Sequence, residues 1–248
     1  MAEYKHLSKA PINEALIDIR VGLPREPVTH EAFQKLEAKI GDTYPSALPI
    51  QTMRIEFFPG NPPTEKKETK FEGFRFTSSN QLQVVQATPD AFTFSRLRPY
   101  ETWENLQAEA QKCWSVYNEV FRPQVITRVA TRFINALEIP LPFTDFSEYL
   151  NGPPNVPSGL PQAIAGFFTR VVFPDLQTGA TAIITQSLES VVGSTSLKVL
   201  LDIDVILERS FDTQDNQQEA WTTIGKLRDL KNKIFFESVT EKSLRPYI

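Results

Sequence analysis

The run Glu14-Ala15-Leu16-Ile17-Asp18-Ile19-Arg20-Val21 sends Ala15, Ile17, Ile19 and Val21 to one side and Glu14, Asp18 and Arg20 to the other. A period of two is the mark of a half-buried strand. Val125–Ile139 reads the same way: Val125, Val129, Phe133 and Leu137 share one face, and Arg128 and Arg132 share the opposite one. A proline-marked turn follows each strand, Gly22-Leu23-Pro24 in the first case and Ile139-Pro140-Leu141-Pro142 in the second. Each turn leads to a Thr and an acidic helix start.

In the first half, Thr29 is placed to cap a short helix whose apolar face is Phe33, Leu36 and Ile40. Strand patterns follow at Gln51–Phe58, Gly73–Ser78, Leu82–Ala87 and Ala91–Arg98, with Ser79-Asn80 and Pro89-Asp90 as turns. Gly60–Lys70, rich in Pro, Lys and Glu, reads as a mobile loop. A long helix is expected from Thr102 to about Phe121. Its stripe is Trp103, Leu106, Ala110, Cys113, Trp114, Tyr117, Val120 and Phe121, and Pro123 stops it. The second half reads as a short helix over Phe143–Leu150, a loop over Asn151–Pro161, and strands at Ala163–Phe173, Thr178–Leu188 and Ser196–Leu207. A last helix, from about Asp215 to Phe236, turns Trp221, Ile224, Leu227, Leu230 and Ile234 inward, and Thr240–Ile248 is a tail.

Each half thus reads strand, short helix, antiparallel strands, long helix. The expected class is α+β, with pseudo-repeats over residues 1–123 and 124–248 inside one compact unit. The pattern resembles the repeat of the TATA-binding-protein-like saddle, in which two such units form one curved sheet with helices on one side. A helix-grip fold is the alternative. A saddle implies nothing about DNA, because function belongs to the site and not to the fold.

Lys and Arg total 26 against 30 Asp and Glu, for a net charge of −4, which argues against a generic nucleic-acid binder. Neither half is basic: the counts are 15 against 16 before Pro123 and 11 against 14 after it. The one cysteine, Cys113, allows neither an internal disulfide nor a cysteine metal cluster. Even the longest apolar runs are short, such as Val199–Leu201, far below the ~20 residues that span a bilayer, and no signal sequence is visible. The expectation is a cytoplasmic protein without a membrane partner.

Several stretches carry a family resemblance. They are Pro11-Ile12-Asn13-Glu14-Ala15-Leu16-Ile17-Asp18-Ile19-Arg20, Arg96-Leu97-Arg98-Pro99-Tyr100 with Trp103-Glu104, Arg128-Val129-Ala130-Thr131-Arg132-Phe133-Ile134-Asn135, Leu201-Asp202-Ile203-Asp204, and Lys231-Asn232-Lys233-Ile234-Phe235-Phe236-Glu237-Ser238-Val239-Thr240-Glu241-Lys242. In this order they resemble a sporadically distributed, uncharacterised bacterial family of about this length. The resemblance spans almost the whole chain and implies no activity. The family's patchy distribution implies a link to defence or toxin–antitoxin gene neighbourhoods.

Two histidines, His6 and His30, are too few for a His-based metal site, and Cys113 lies on a buried helical stripe. No nucleophile elbow or Gly-rich phosphate loop is present. Asp202 and Asp204 project to one side of a strand and form the enzymatic alternative, a metal-dependent nucleotide-processing site with Gly193-Ser194 upstream. Lys231–Lys242 reads either as a charged recognition element or, with Asn232 and Thr240, as the cap of the last helix. The most informative pattern is distributed. Asp18, Arg20, Arg54, Glu56, Arg75, Arg128, Arg132, Asp202, Asp204 and Glu208 all oppose the apolar sides of their strands. The favoured reading is a binding protein with no catalytic residue, metal or cofactor. It would meet a protein partner, or itself, through Asp18, Arg20, Arg128, Arg132, Asp202 and Asp204.

Overall fold

A computed structural model describes residues 7–22, 28–58, 64–189, 195–213 and 217–248. The strands are β1 (Ile12–Val21), β2 (Ser46–Phe58), β3 (Thr64–Thr77), β4 (Gln83–Thr88), β5 (Ala91–Leu97), β6 (Val125–Pro140), β7 (Phe168–Pro174), β8 (Thr181–Glu189) and β9 (Ser196–Asp212). The helices are α1 (His30–Ile40), α2 (Trp103–Phe121), α3 (Gln217–Ser238) and the short α4 (Glu241–Leu244). All nine strands join one antiparallel sheet in the order β2-β3-β4-β5-β1-β6-β9-β8-β7. The fold is therefore α+β. No described helix is long and apolar enough to cross a membrane.

Register shows which side the helices cover. Ile19 stands between Phe92 of β5 and Val129 of β6, and Phe133 follows Val129 on the same side. Phe92 packs on Trp114 and Tyr117 of α2, with ring centroids 5.6 Å apart in both pairs. Phe133 meets Trp103 of α2, and the Nζ of Lys231 on α3 lies 3.6 Å from its ring centroid. Phe33 of α1 packs on Phe74 of β3 at 5.7 Å. The three long helices thus share one face. Trp103, Trp114, Tyr117, Trp221, Ile224 and Phe235 are all buried there, as their stripe spacing requires.

Several boundaries correct the sequence reading. Residues 64–70 are strand, not loop: β3 pairs with β2 along its whole length, setting Arg54 opposite Glu68 and Glu56 opposite Lys66. Charge complementarity across this ribbon replaces the missing apolar alternation. Phe143–Leu150 holds only a single 3-10 turn, Phe146–Glu148, closed by a capping box between Asp145 and Glu148. β7 begins at Phe168 rather than Ala163: it pairs with β8 from Phe168 opposite Ser187, and β8 itself ends two residues later at Glu189. A register shift between Ile126 and Arg128 turns Ile126, not Val125, into the core. Thr29 precedes α1 without a side-chain capping bond.

The chain end is structured. Thr240 Oγ1 donates to Glu148 O at 2.6 Å, accepts weakly from Ser243 N at 3.4 Å, and Lys242 pairs with Glu148. Asn232 is not a cap, since α3 continues six residues past it to Ser238. The turn Leu23-Pro24, His6, the Gly193-Ser194 pair and Asp215 lie outside the described residues.

Candidate functional site

Among the described residues, no helix packs on the opposite face of the sheet. Pairing of β1 with β6 and of β6 with β9 brings Asp18, Arg20, Arg128, Arg132, Asp202 and Asp204 onto three adjacent central strands. Arg20 lies across from Arg128, Arg128 from Glu208, and Arg132 from Asp204. Arg54, Glu56 and Arg75 stand apart on β2 and β3, four and three strands from β1 in the sheet order. Arg54 there pairs with Glu56 at 2.7 Å.

The six central residues are unevenly satisfied. Arg132 forks onto Asp202, its diagonal neighbour, with Nε to Oδ1 at 2.9 Å and Nη2 to Oδ2 at 2.6 Å. Such bidentate pairing is the strongest form of this contact. Asp18 is 8% exposed. Its Oδ2 accepts from Thr93 Oγ1 at 2.8 Å, while its Oδ1 has Arg20 Nε at 3.4 Å and Arg128 Nη1 at 3.5 Å without hydrogen-bond geometry. Two arginines therefore share one carboxylate oxygen at ion-pair distance. Asp204 has no hydrogen bond and no ion pair among the described residues. Burial pushes its carboxyl up to about 6; Arg132 and Arg128 oppose the rise, and the like charges of Asp202 and Asp18 add to it.

A raised carboxyl pKa has a defined consequence for stability. The folded chain holds a proton on Asp204 that the unfolded chain, with an ordinary value near ~4, has already lost. This group's contribution therefore falls as pH rises from about 4 through about 6. Asp204→Asn is expected to raise the unfolding free energy at pH 7 by on the order of 1 kcal/mol, while matching the parent near pH 4. Paired denaturation curves at the two pH values check this. A variant less stable than the parent at pH 7 contradicts it.

The metal alternative rests on Asp202 and Asp204. Arg132 already occupies both oxygens of Asp202, and among the described residues no group of three or more His, Cys, Asp or Glu side chains is arranged to hold a metal ion. Cys113 is buried, with Sγ 3.4 Å from Tyr44 Oη, and burial pushes its thiol up to about 11, the opposite of an activated nucleophile.

The burial of one residue in the Lys231–Lys242 stretch escaped the sequence reading. Lys231 is 6% exposed and lies on the core side of α3. The signal was available: Lys231 stands four residues after Leu227 and four before Phe235, on the apolar stripe itself. Asn135 of β6 is also buried, 2% exposed, and its position gave no such hint.

No family model matches this chain, and no curated protein matches it either.

Proposed function

We propose that the chain is a non-enzymatic binding protein that docks another protein on the open face of its sheet. The observation that carries this reading is unused hydrogen-bonding capacity at the centre of that face. Among the six residues, only Arg132 and Asp202 meet in a bidentate pair. Arg20 and Arg128 share Asp18 at 3.4 and 3.5 Å, and Asp204 is left to the other charges around it. The fitting partner presents carboxylates to the two arginines and a hydrogen-bond donor to Asp204. A polyanion fits poorly, because three carboxylates stand among the three arginines. A mixed-charge protein surface suits both signs.

The finer fold reading belongs to the same proposal. Strands β1 and β6 open the two halves and pair at the middle of the sheet, flanked by β5 and β9, the last strands of each half. This arrangement supports two pseudo-repeats, 1–123 and 124–248, in a TATA-binding-protein-like saddle. Two long helices side by side on one face favour it over a helix-grip fold. The second half departs from the first in having three strands after its opening strand and a 3-10 turn in place of α1. The family resemblance adds the proposal of a bacterial setting linked to defence, and the short apolar runs and single cysteine add that of a cytoplasmic one.

The test compares the parent chain with the Arg128→Ala, Arg132→Ala double variant in parallel capture from a host lysate, with both proteins first shown to be folded. Hot-spot arginines cost about 2 kcal/mol or more in binding, roughly thirtyfold in Kd. The expected result is a protein retained by the parent and lost from the double variant. Equal retention by the folded double variant overturns the surface. A parent that only dimerises, with the dimer broken by the same substitutions, replaces the foreign partner with a second copy.

A further inference from the structure

We propose that a cavity on the helix-covered side of the sheet, independent of the charged open face, captures small carbonyl compounds as an imine on Lys231. The cavity holds about 570 Å³ and lies between residues 7–12, the start of α2 and the second half of α3. That volume suits a small organic molecule. Exposed Glu101 and Lys226 are part of its lining, so it opens to solvent.

Lys231 is what makes the cavity a site. Its side chain is nine-tenths buried, yet among the described residues it has no hydrogen bond and no ion pair. Its Nζ rests over the Phe133 ring, 3.6 Å from the centroid. A buried ammonium whose one partner is the face of an aromatic ring is still expensive, because the ring returns less than a paired carboxylate would, and the acids along the cavity are mostly engaged elsewhere. Asp229 is held by Arg228 at 3.0 Å, Glu101 by Arg96 at 2.7 Å, and Asp175 by Thr178 at 2.6 Å. Glu104, Lys226 and Lys233 complete the charged lining, along with the buried phenol of Tyr100. Burial, with Arg228 adding to it and Asp229 opposing, brings the Lys231 amine down to about 7. A desolvated lysine beside a second cation is the setting in which the amine acts as a nucleophile.

The rest of the cavity suits the same chemistry. Asn135 lines the cavity, and its Nδ2 donates to Leu201 O at 2.9 Å and more weakly to Phe133 O at 3.3 Å, which fixes the amide and leaves its Oδ1 without a hydrogen bond among the described residues. That oxygen can accept a hydroxyl proton from a bound adduct. Trp103 and Tyr100 supply aromatic lining for an apolar or planar body. In the step itself the Nζ lone pair forms a bond to the carbonyl carbon while the C=O π pair moves to oxygen. The carbinolamine oxygen then leaves as water with the two amine protons, and a C=N bond remains. No oxidant or reductant is needed, and water reverses the capture.

The experiment treats the full chain with benzaldehyde and sodium cyanoborohydride, which reduces the imine to a stable secondary amine, and maps the labelled lysines by peptide mass spectrometry across pH. At pH 7 an amine with pKa near 7 is about half neutral, whereas an ordinary lysine is neutral in roughly one molecule in 2500. Lys231 is therefore expected to label at least tenfold faster than any exposed lysine, with its rate rising around pH 7. Lys231→Arg should abolish that fast phase and leave the slow surface labelling unchanged. If Lys231→Arg does not fold, the site map and pH profile of the parent decide alone. Labelling spread over exposed lysines, with Lys231 no faster than they are, overturns the proposal.

Discussion

Trp114→Ala is expected to lower the unfolding free energy by about 3–5 kcal/mol, the range for deleting a large aromatic side chain from a close-packed core. Trp114 is fully buried in the middle of α2. Its ring meets Phe92 of β5 edge-on at 5.6 Å and stacks on Tyr117 at 5.4 Å, so it links the helix layer to the sheet. Tyr117 continues the stack to Phe121 at 4.6 Å and donates its hydroxyl proton to Thr88 O at 2.9 Å. Truncation would open a void whose walls are two strands and a helix already held by other contacts, so little collapse can offset it. The indole Nε1 has no hydrogen-bond partner, which places the value of this residue in packing rather than polarity. Trp114→Phe, which keeps an aromatic ring and removes the orphan donor, should cost less than about 1.5 kcal/mol. Chemical denaturation of the two variants separates the cases. An unchanged midpoint for Trp114→Ala, or equal losses for both, contradicts this account.

The parts of the fold that were legible in the chain are those where one side of an element is buried. The alternation of Ala15, Ile17, Ile19 and Val21 set the face of β1, and the three-four spacing from Trp103 to Phe121 set that of α2. Both patterns record a boundary between core and water. In the β2–β3 ribbon the β2 side was read as a strand at Gln51–Phe58, but residues 64–70 of β3 were illegible for the complementary reason. Beyond α1 both sides of the ribbon face water: Met53, Ile55 and Phe57 are exposed, and so are Lys66 and Glu68. Without burial there is no period to read, and only the partner strand shows that a Lys/Glu stretch is extended. Register shifts, such as that at Ile126 and Arg128, were hidden because they depend on how β1 meets β6 and not on either strand alone.

The charged cluster was legible in composition and face but not in pairing. Alternation alone set Arg128 and Arg132 on one side of β6, and Asp202 and Asp204 on one side of β9. It could not show that Arg132 passes over its register partner Asp204 to fork onto Asp202. That choice depends on side-chain reach across a twisted strand pair and decides which carboxylate stays available. Lys231 shows the reverse error. A charged residue on an otherwise apolar stripe was passed over because lysines in a Lys-Asn-Lys run look like surface.

Gly73 carries the other large expected effect. It faces Ile50 of β2 where the β2–β3 register shifts, just before β3 takes up β4 as its second neighbour at Phe74 and Ala87. A Cβ at this position would stand 2.1 Å from Ala87 O and 3.0 Å from both Ala87 C and Thr88 Cα. All three atoms are backbone, so no rotamer change relieves the contact. Ala87 and Thr88 cannot retreat without straining the β4–β5 pairs Ala87–Phe92 and Thr88–Ala91. Tyr117 also donates its hydroxyl hydrogen bond to Thr88 O, which would have to move. Gly73→Ala is expected to destabilise by about 3 kcal/mol, at the upper end of the usual cost of overpacking, because the clash falls on main chain. Gly225→Ala is the matched control: that glycine lies within α3 with no atom near its ideal Cβ. Alanine there should be neutral or stabilising by up to about 1 kcal/mol through helix propensity. Thermal or urea unfolding of the pair tests the claim. If Gly73→Ala is as stable as the parent, the close approach of β3 to β4 is wrong. If it is destabilised while Gly225→Ala is not, the bulge at Gly73 is what lets β3 run on from the core sheet into the exposed ribbon.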